Sequence, residues 1–175
     1  GLNNLKIYSV IDNKYSKYFG FTSDEVKAMA KYYGKPEKYK ELCEWYDGYK
    51  FGNTDIFNPW SVINYFSNGC EPKSFWQSTG NNDIIKEILT ASNPVIYDNL
   101  TSLIQGKEIS AVVDINIIYP EITNNSYSIY SYLLMSGYLK VTSSHNSVTG
   151  DYVCTLAIPN KEIDYVYRKE ILIEN

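Results

Sequence analysis

Apolar positions recur at helical spacing through the first half of the chain and give way to shorter, strand-like runs in the second. Val26, Met29, Ala30 and Tyr33 stand at i, i+3, i+4 and i+7, one face of an amphipathic helix. Thr22 and Glu25 read as a capping box at its start, with Phe21 and Val26 as the hydrophobic staple, and Gly34 is placed to end it. Pro36 suits the first turn of a second helix, whose face is Tyr39, Leu42, Cys43 and Tyr46 and whose stop is Asp47-Gly48. Tyr49 to Phe57, broken by the turn cluster Gly52 to Asp55, reads as a short β-hairpin.

Asn58-Pro59 is an N-cap followed by a first helical residue, opening a helix whose face is Trp60, Ile63 and Phe66. If Trp60 anchors the core there, its truncation to Ala should cost ~3–5 kcal/mol. Phe75 and Trp76 fall in a loop, Ile84 to Leu89 is helical by spacing, and Asn93-Pro94 caps a helix running to Gly106. Ile109 to Val113 is a β-branched stretch, Ser126 to Ser136 a helix, Tyr138 to Thr142 a strand, Ser143 to Asp151 a polar loop and Tyr152 to Ile158 a strand. Pro159-Asn160 caps a last helix through Ile163, Val166 and Tyr167. The expected class is therefore α+β, mainly helical. A helical lid-like region with a small hairpin spans 1–107, and a winged-helix-like unit spans 108–175; a full winged helix needs a further helix between Asn116 and Asn125, where the sequence gives little helical pattern.

Tyrosine is over-represented, at 18 of 175 residues, in an otherwise ordinary globular composition. Segment charges are +2 for residues 1–50, −3 for 51–108 and −3 for 109–175, which predicts weak binding of duplex DNA by the second unit. One histidine, His145, and one arginine, Arg168, leave little for triad or two-histidine metal chemistry. No Gly-Lys pair completes a P-loop, and no catalytic or metal residue is assigned. Three separated cysteines make no disulfide framework, and no apolar run suits a membrane span, so a cytoplasmic protein is expected. The lack of an initiator Met, and an end inside a helical pattern, suggest an excised segment.

Several aromatic-polar strings carry a resemblance. They are Phe19-Gly20-Phe21-Thr22-Ser23-Asp24-Glu25-Val26, Glu44-Trp45-Tyr46-Asp47-Gly48-Tyr49-Lys50-Phe51-Gly52, Asn58-Pro59-Trp60-Ser61-Val62, and Trp76 with Thr79, Gly80 and Asn81. In this order they resemble a bacterial AAA-ATPase-like family of unknown function, whose members often carry a C-terminal PD-(D/E)XK nuclease-like domain. Gly1 to Leu5 is similar to the segment just after that family's NTPase core. Gly137-Tyr138-Leu139 and Ala157-Ile158-Pro159-Asn160-Lys161-Glu162 are similar to the segment before the nuclease-like domain. The resemblance implies an ATPase core before Gly1 and a nuclease-like domain after Asn175, with this chain as the connector and the rest of its polypeptide as partner. ATP and magnesium belong, by the same implication, to the missing core.

Candidate binding residues are Trp45, Asp47, Tyr49, Asn58, Trp60, Trp76 and Asn81. The Trp45 to Tyr49 string could line a ligand or peptide cleft, with flat rings and an acceptor carboxylate. A helix stop with core rings explains the same residues. Asn58 and Asn81 approach helix N-termini, where free N–H groups favour anions, but plain capping accounts for them without a ligand and is the preferred reading. A nucleic-acid reader is the other alternative, with Ser126, Ser128 and Ser131 as the face in the groove. Arg168 could act in trans on a nucleotide, or simply lie on a solvated face.

Overall fold

The computed structural model describes residues 20–51, 54–76, 85–88, 93–114 and 126–174. The chain is α+β and mainly helical. Helix α1 (Ser23–Tyr32) begins at the expected capping box: the Glu25 amide donates to Thr22 Oγ1 at 3.2 Å and the Thr22 amide to Glu25 Oε1 at 3.1 Å. It ends in a Schellman turn, with Gly34 at φ 70°, its amide donating to Lys31 O at 3.0 Å and the Lys35 amide to Ala30 O at 2.8 Å. Tyr33 is the C-cap of α1 and half-exposed, with its ring stacked on Phe66. A 3-10 turn (Pro36–Lys38) leads into α2 (Tyr39–Tyr46).

The expected hairpin is part of a three-stranded antiparallel sheet. Strand β1 (Phe21–Thr22) pairs with β3 (Thr54–Phe57), which pairs with β2 (Asp47–Phe51). Asp47 and Gly48 end α2 by entering β2, at a register shift between Asp47 and Tyr49, not by forming a free turn. Two residues of β1 are too few to show alternation, which is why the sequence reads Phe21 only as a staple and Thr22 only as a cap.

Helix α3 (Pro59–Ser67) is capped by Asn58, whose Oδ1 accepts from the Trp60 amide at 2.9 Å. Its buried stripe is Ser61, Val62, Tyr65 and Phe66, while Ile63 is exposed and Trp60 is 51% exposed. This corrects the expected face at Trp60 and Ile63, while Phe66 is buried as expected. Apolar residues surround most of α3, so period alone does not tell which side faces inward. Val26, Ala30, Leu42, Tyr46, Phe57, Val62, Tyr65 and Phe66 form a first core cluster.

Of the helix expected over Ile84 to Leu89, residues 85–88 are helical, and the remainder lies outside the described residues. Helix α4 (Pro94–Ile104) is capped by Asn93, as expected. Strand β4 (Ile109–Val112), helix α5 (Ser126–Met135), strands β5 (Lys140–Asn146) and β6 (Tyr152–Ala157), and helix α6 (Lys161–Glu174) follow. The sheet order is β4-β6-β5, all antiparallel, in winged-helix-like order. The segment from Asn116 to Asn125 lies outside the described residues. Strand β5 begins two residues later than expected and continues through Ser143, Ser144, His145 and Asn146. These residues are exposed, so the strand carries no apolar alternation there.

The second core cluster draws on residues 85–88, α4, α5, β6 and α6. The buried residues thus divide between Phe75, which packs on the first cluster, and Trp76, which packs on the second; α4 goes with the second. The tyrosines serve both. Tyr46, Tyr65 and Tyr167 are fully buried, and each phenol has a hydrogen-bond partner: Lys73 O at 2.8 Å, Glu41 Oε2 at 2.5 Å and Tyr138 O at 2.9 Å. Among the described residues no helix is long and apolar enough to cross a membrane.

Two truncations separate core from surface. Leu42→Ala should cost about 2–5 kcal/mol, as for a fully buried leucine. Trp60→Ala should cost only about 1–2 kcal/mol, for half-burial and one hydrogen bond. Denaturant unfolding of the two variants checks this ordering.

Candidate functional site

Ser61, Trp76 and the start of the last helix, far apart in sequence, meet at one carboxyl group. Asn160 caps α6 by accepting from the Ile163 amide at 2.9 Å, which places Glu162 in the first helical turn. Glu162 is 1% exposed. Ser61, on the buried stripe of α3, has its hydroxyl 2.9 Å from Oε1 and 2.8 Å from Oε2, and the Trp76 amide donates to Oε2 at 3.0 Å. Burial drives the Glu162 carboxyl up to about 7, against the opposing pull of hydrogen bonds from Ser61 and the Trp76 and Phe75 amides.

The strap of residues 73–76 is laced at every position. Tyr46 brackets the Lys73 backbone, donating to its carbonyl at 2.8 Å and accepting from its amide at 3.1 Å. The Ser74 hydroxyl donates to Glu162 O at 3.2 Å, and Trp60 Nε1 donates to Phe75 O at 3.2 Å. Trp76 Nε1 donates to the Tyr138 hydroxyl at 3.2 Å, with the two rings edge to face. Nearby, an exposed Lys161–Glu44 pair at 3.1 Å adds at most about 1 kcal/mol.

Gly48 closes the same region. A Cβ built there would lie 2.8 Å from Asn160 Nδ2 and 3.5 Å from Pro159 Cβ, so only glycine lets β2 approach the cap of α6. The Asn160 amide cannot retreat freely, because its Oδ1 holds the Ile163 N–H.

The structure brings Trp60 to the strap, of which Trp76 is the last residue. Trp45 packs against the first core cluster, Asp47 is half-buried at the start of β2, and Asn58 is engaged as an N-cap. Tyr49 lies in β2 opposite Ile56, but its side chain is outside the described residues, as is Asn81 entirely. Arg168 is held by Asp164 Oδ2 at 2.6 Å and donates to Ile104 O at 2.9 Å, a cation at the C-terminus of α4. The serine face of α5 is corrected: Ser128 and Ser131 are buried, and Ser131 Oγ accepts from the Asp114 amide at 2.7 Å. Ser126's side chain is outside the described residues.

Glu162 and Ser61 stand in the strings quoted for the resemblance, but their partnership is absent from any local pattern, because 101 positions separate them. A lone carboxyl sealed from solvent reaches no substrate. Its geometry suits it to fastening α6 to α3 and to the strap.

No family model matches the chain, and no solved structure does. The chain is 32% identical over 94 residues to an uncharacterized protein in the vnfD 5'region of Azotobacter chroococcum mcd 1. The match takes in 51% of this chain and spans only 17% of that protein's length.

Two substitutions test the junction. Because the folded Glu162 titrates near 7 and its ordinary value is 4.5, the folded state holds the extra proton between these values. Stability from this group is therefore complete below pH 4.5 and is lost as pH rises through 7, by roughly 3 kcal/mol in all. Glu162→Gln mimics the neutral acid, so it should match wild type near pH 4.5 and be more stable at pH 8, as read by urea midpoints. Gly48→Ala should cost about 1–2 kcal/mol, and less in an Asn160→Gly background that removes the clash, as a double-mutant cycle measures.

Proposed function

We propose that this chain is the non-catalytic connector of a cytoplasmic AAA-ATPase-like protein, coupling an ATPase core before Gly1 to a nuclease-like domain after Asn175. The observation that carries the reading is the Glu162 junction. It fastens the start of α6, the helix that runs toward Asn175, to α3 and to the strap between the two core clusters. The second cluster holds α6 by packing on Ile163, Val166 and Tyr167, and the Glu162 hydrogen bonds tie the same helix to α3 of the first cluster.

The matched relative, of which this chain spans 17%, supports a place within a larger polypeptide. The reading assigns nucleotide and magnesium to the core before Gly1, because no string of this chain completes a P-loop. The burial of Ser128 and Ser131 weighs against α5 as a reader of the groove. The engagement of Trp60 Nε1 with Phe75 O and of Trp76 Nε1 with the Tyr138 hydroxyl weighs against an open aromatic pocket at those rings.

Calorimetric titration of this chain with Mg-ATP should give no saturable heat, while the full-length gene product should bind and hydrolyse it. In the full-length protein, Ser61→Ala should alter the nuclease-like output while leaving nucleotide affinity unchanged. A micromolar constant for this chain alone, or a full-length protein without nucleotide binding, overturns the connector reading.

A further inference from the structure

We propose that the turn after α1, with Tyr32 and Tyr33 flanked by Lys31 and Lys35, is a binding surface for single-stranded nucleic acid. Residues 27–40 hold five lysines against one glutamate, the densest positive charge in a chain of net charge −4. Lys38 is paired with Glu41 at 3.5 Å, and Lys27 lies 5.0 Å from the centre of the Tyr39 ring. Among the described residues, Lys31, Lys35 and Lys40 have no carboxylate partner. Their charge is left for a ligand.

The aromatic component is fixed as well as exposed. Tyr32 is 83% exposed and Tyr33 52%. Tyr33 stacks on Phe66, with ring centres 4.7 Å apart and planes 15° from parallel, and Tyr32 meets Tyr33 at 5.2 Å and 89°. The backbone beneath is the Schellman turn, so the rings and both flanking lysines are presented by hydrogen-bonded main chain. Exposed Ile63, one turn before Phe66 on α3, extends the apolar surface.

Helix-end lysines alone are explained by the negative end of the α1 dipole. The dipole does not explain two neighbouring tyrosines turned to water. Together, unpaired cations and a ring with an open face match a strand of phosphates and unstacked bases. Bases stack on aromatic side chains with little sequence preference, and the lysines follow the backbone. A duplex offers the charge but keeps its bases stacked within the helix. The surface involves neither Glu162 nor the strap, and so does not depend on the connector reading.

Fluorescence anisotropy with labelled (dT)20 at about 20 mM salt tests the proposal on the whole chain. Wild type should bind with a constant in the micromolar range or weaker, and more tightly than it binds a duplex of equal length. Tyr32→Ala should weaken binding about tenfold without changing the salt slope. Lys31→Gln with Lys35→Gln should lower the slope of log K against log salt by about 1.4, near 0.7 for each lysine. These positions are exposed, and circular dichroism checks that the variants fold. Absence of binding, equal affinity for the duplex or for poly-glutamate, or indifference to Tyr32→Ala would each overturn the proposal.

Discussion

A carboxyl group with almost no contact with water can be kept only if the protein satisfies its oxygens, and Glu162 makes that requirement on three separate stretches of chain. Ser61 must lie on the inner side of α3. The strap must place the Trp76 amide over one oxygen, and Asn160 must start α6 at a fixed residue. Each condition fixes a rotation or register that hydrophobic packing leaves loose, since apolar contacts are not directional. Removing the Ser61 hydroxyl would leave a buried acid partly unsatisfied, whereas the protonated acid needs less from its surroundings.

The strap shows how two small cores become one molecule. Phe75 and Trp76 are neighbours in sequence but pack on different clusters, and the polar tips of Tyr46, Trp60 and Tyr138 hold the backbone between them. Amphipathic side chains suit this place: the ring joins a core while the tip binds a peptide group.

Local chemistry was legible in the sequence wherever a cap or a period decides the outcome. The Thr22–Glu25 box, the Asn58 and Asn93 caps and the Gly34 stop all hold to the residue. Outcomes decided by distant partners were not legible. Trp60 and Ile63 look like core because α3 is apolar on most sides, yet Ser61 takes the inner position because Glu162, far along the chain, needs its hydroxyl. The serines of α5 look like a polar outer face, yet Ser131 turns inward to hold the Asp114 amide. In both cases the serine's partner is a protein group distant in sequence, which no local pattern displays. The same limit hid the junction, whose members stand in recognisable strings that acquire a role only when folded together.

The tyrosine-rich interior has a further consequence at the alkaline end of the pH scale. Burial holds the phenols of Tyr46, Tyr65, Tyr130, Tyr138 and Tyr167 above their ordinary value near 10, while the same groups in an opened chain lose their protons there. Alkali therefore draws the chain open by ionising phenols that the interior keeps neutral. Phenolate absorbance then appears as whole cores are lost, and the abundance of one residue type becomes a built-in indicator of collapse.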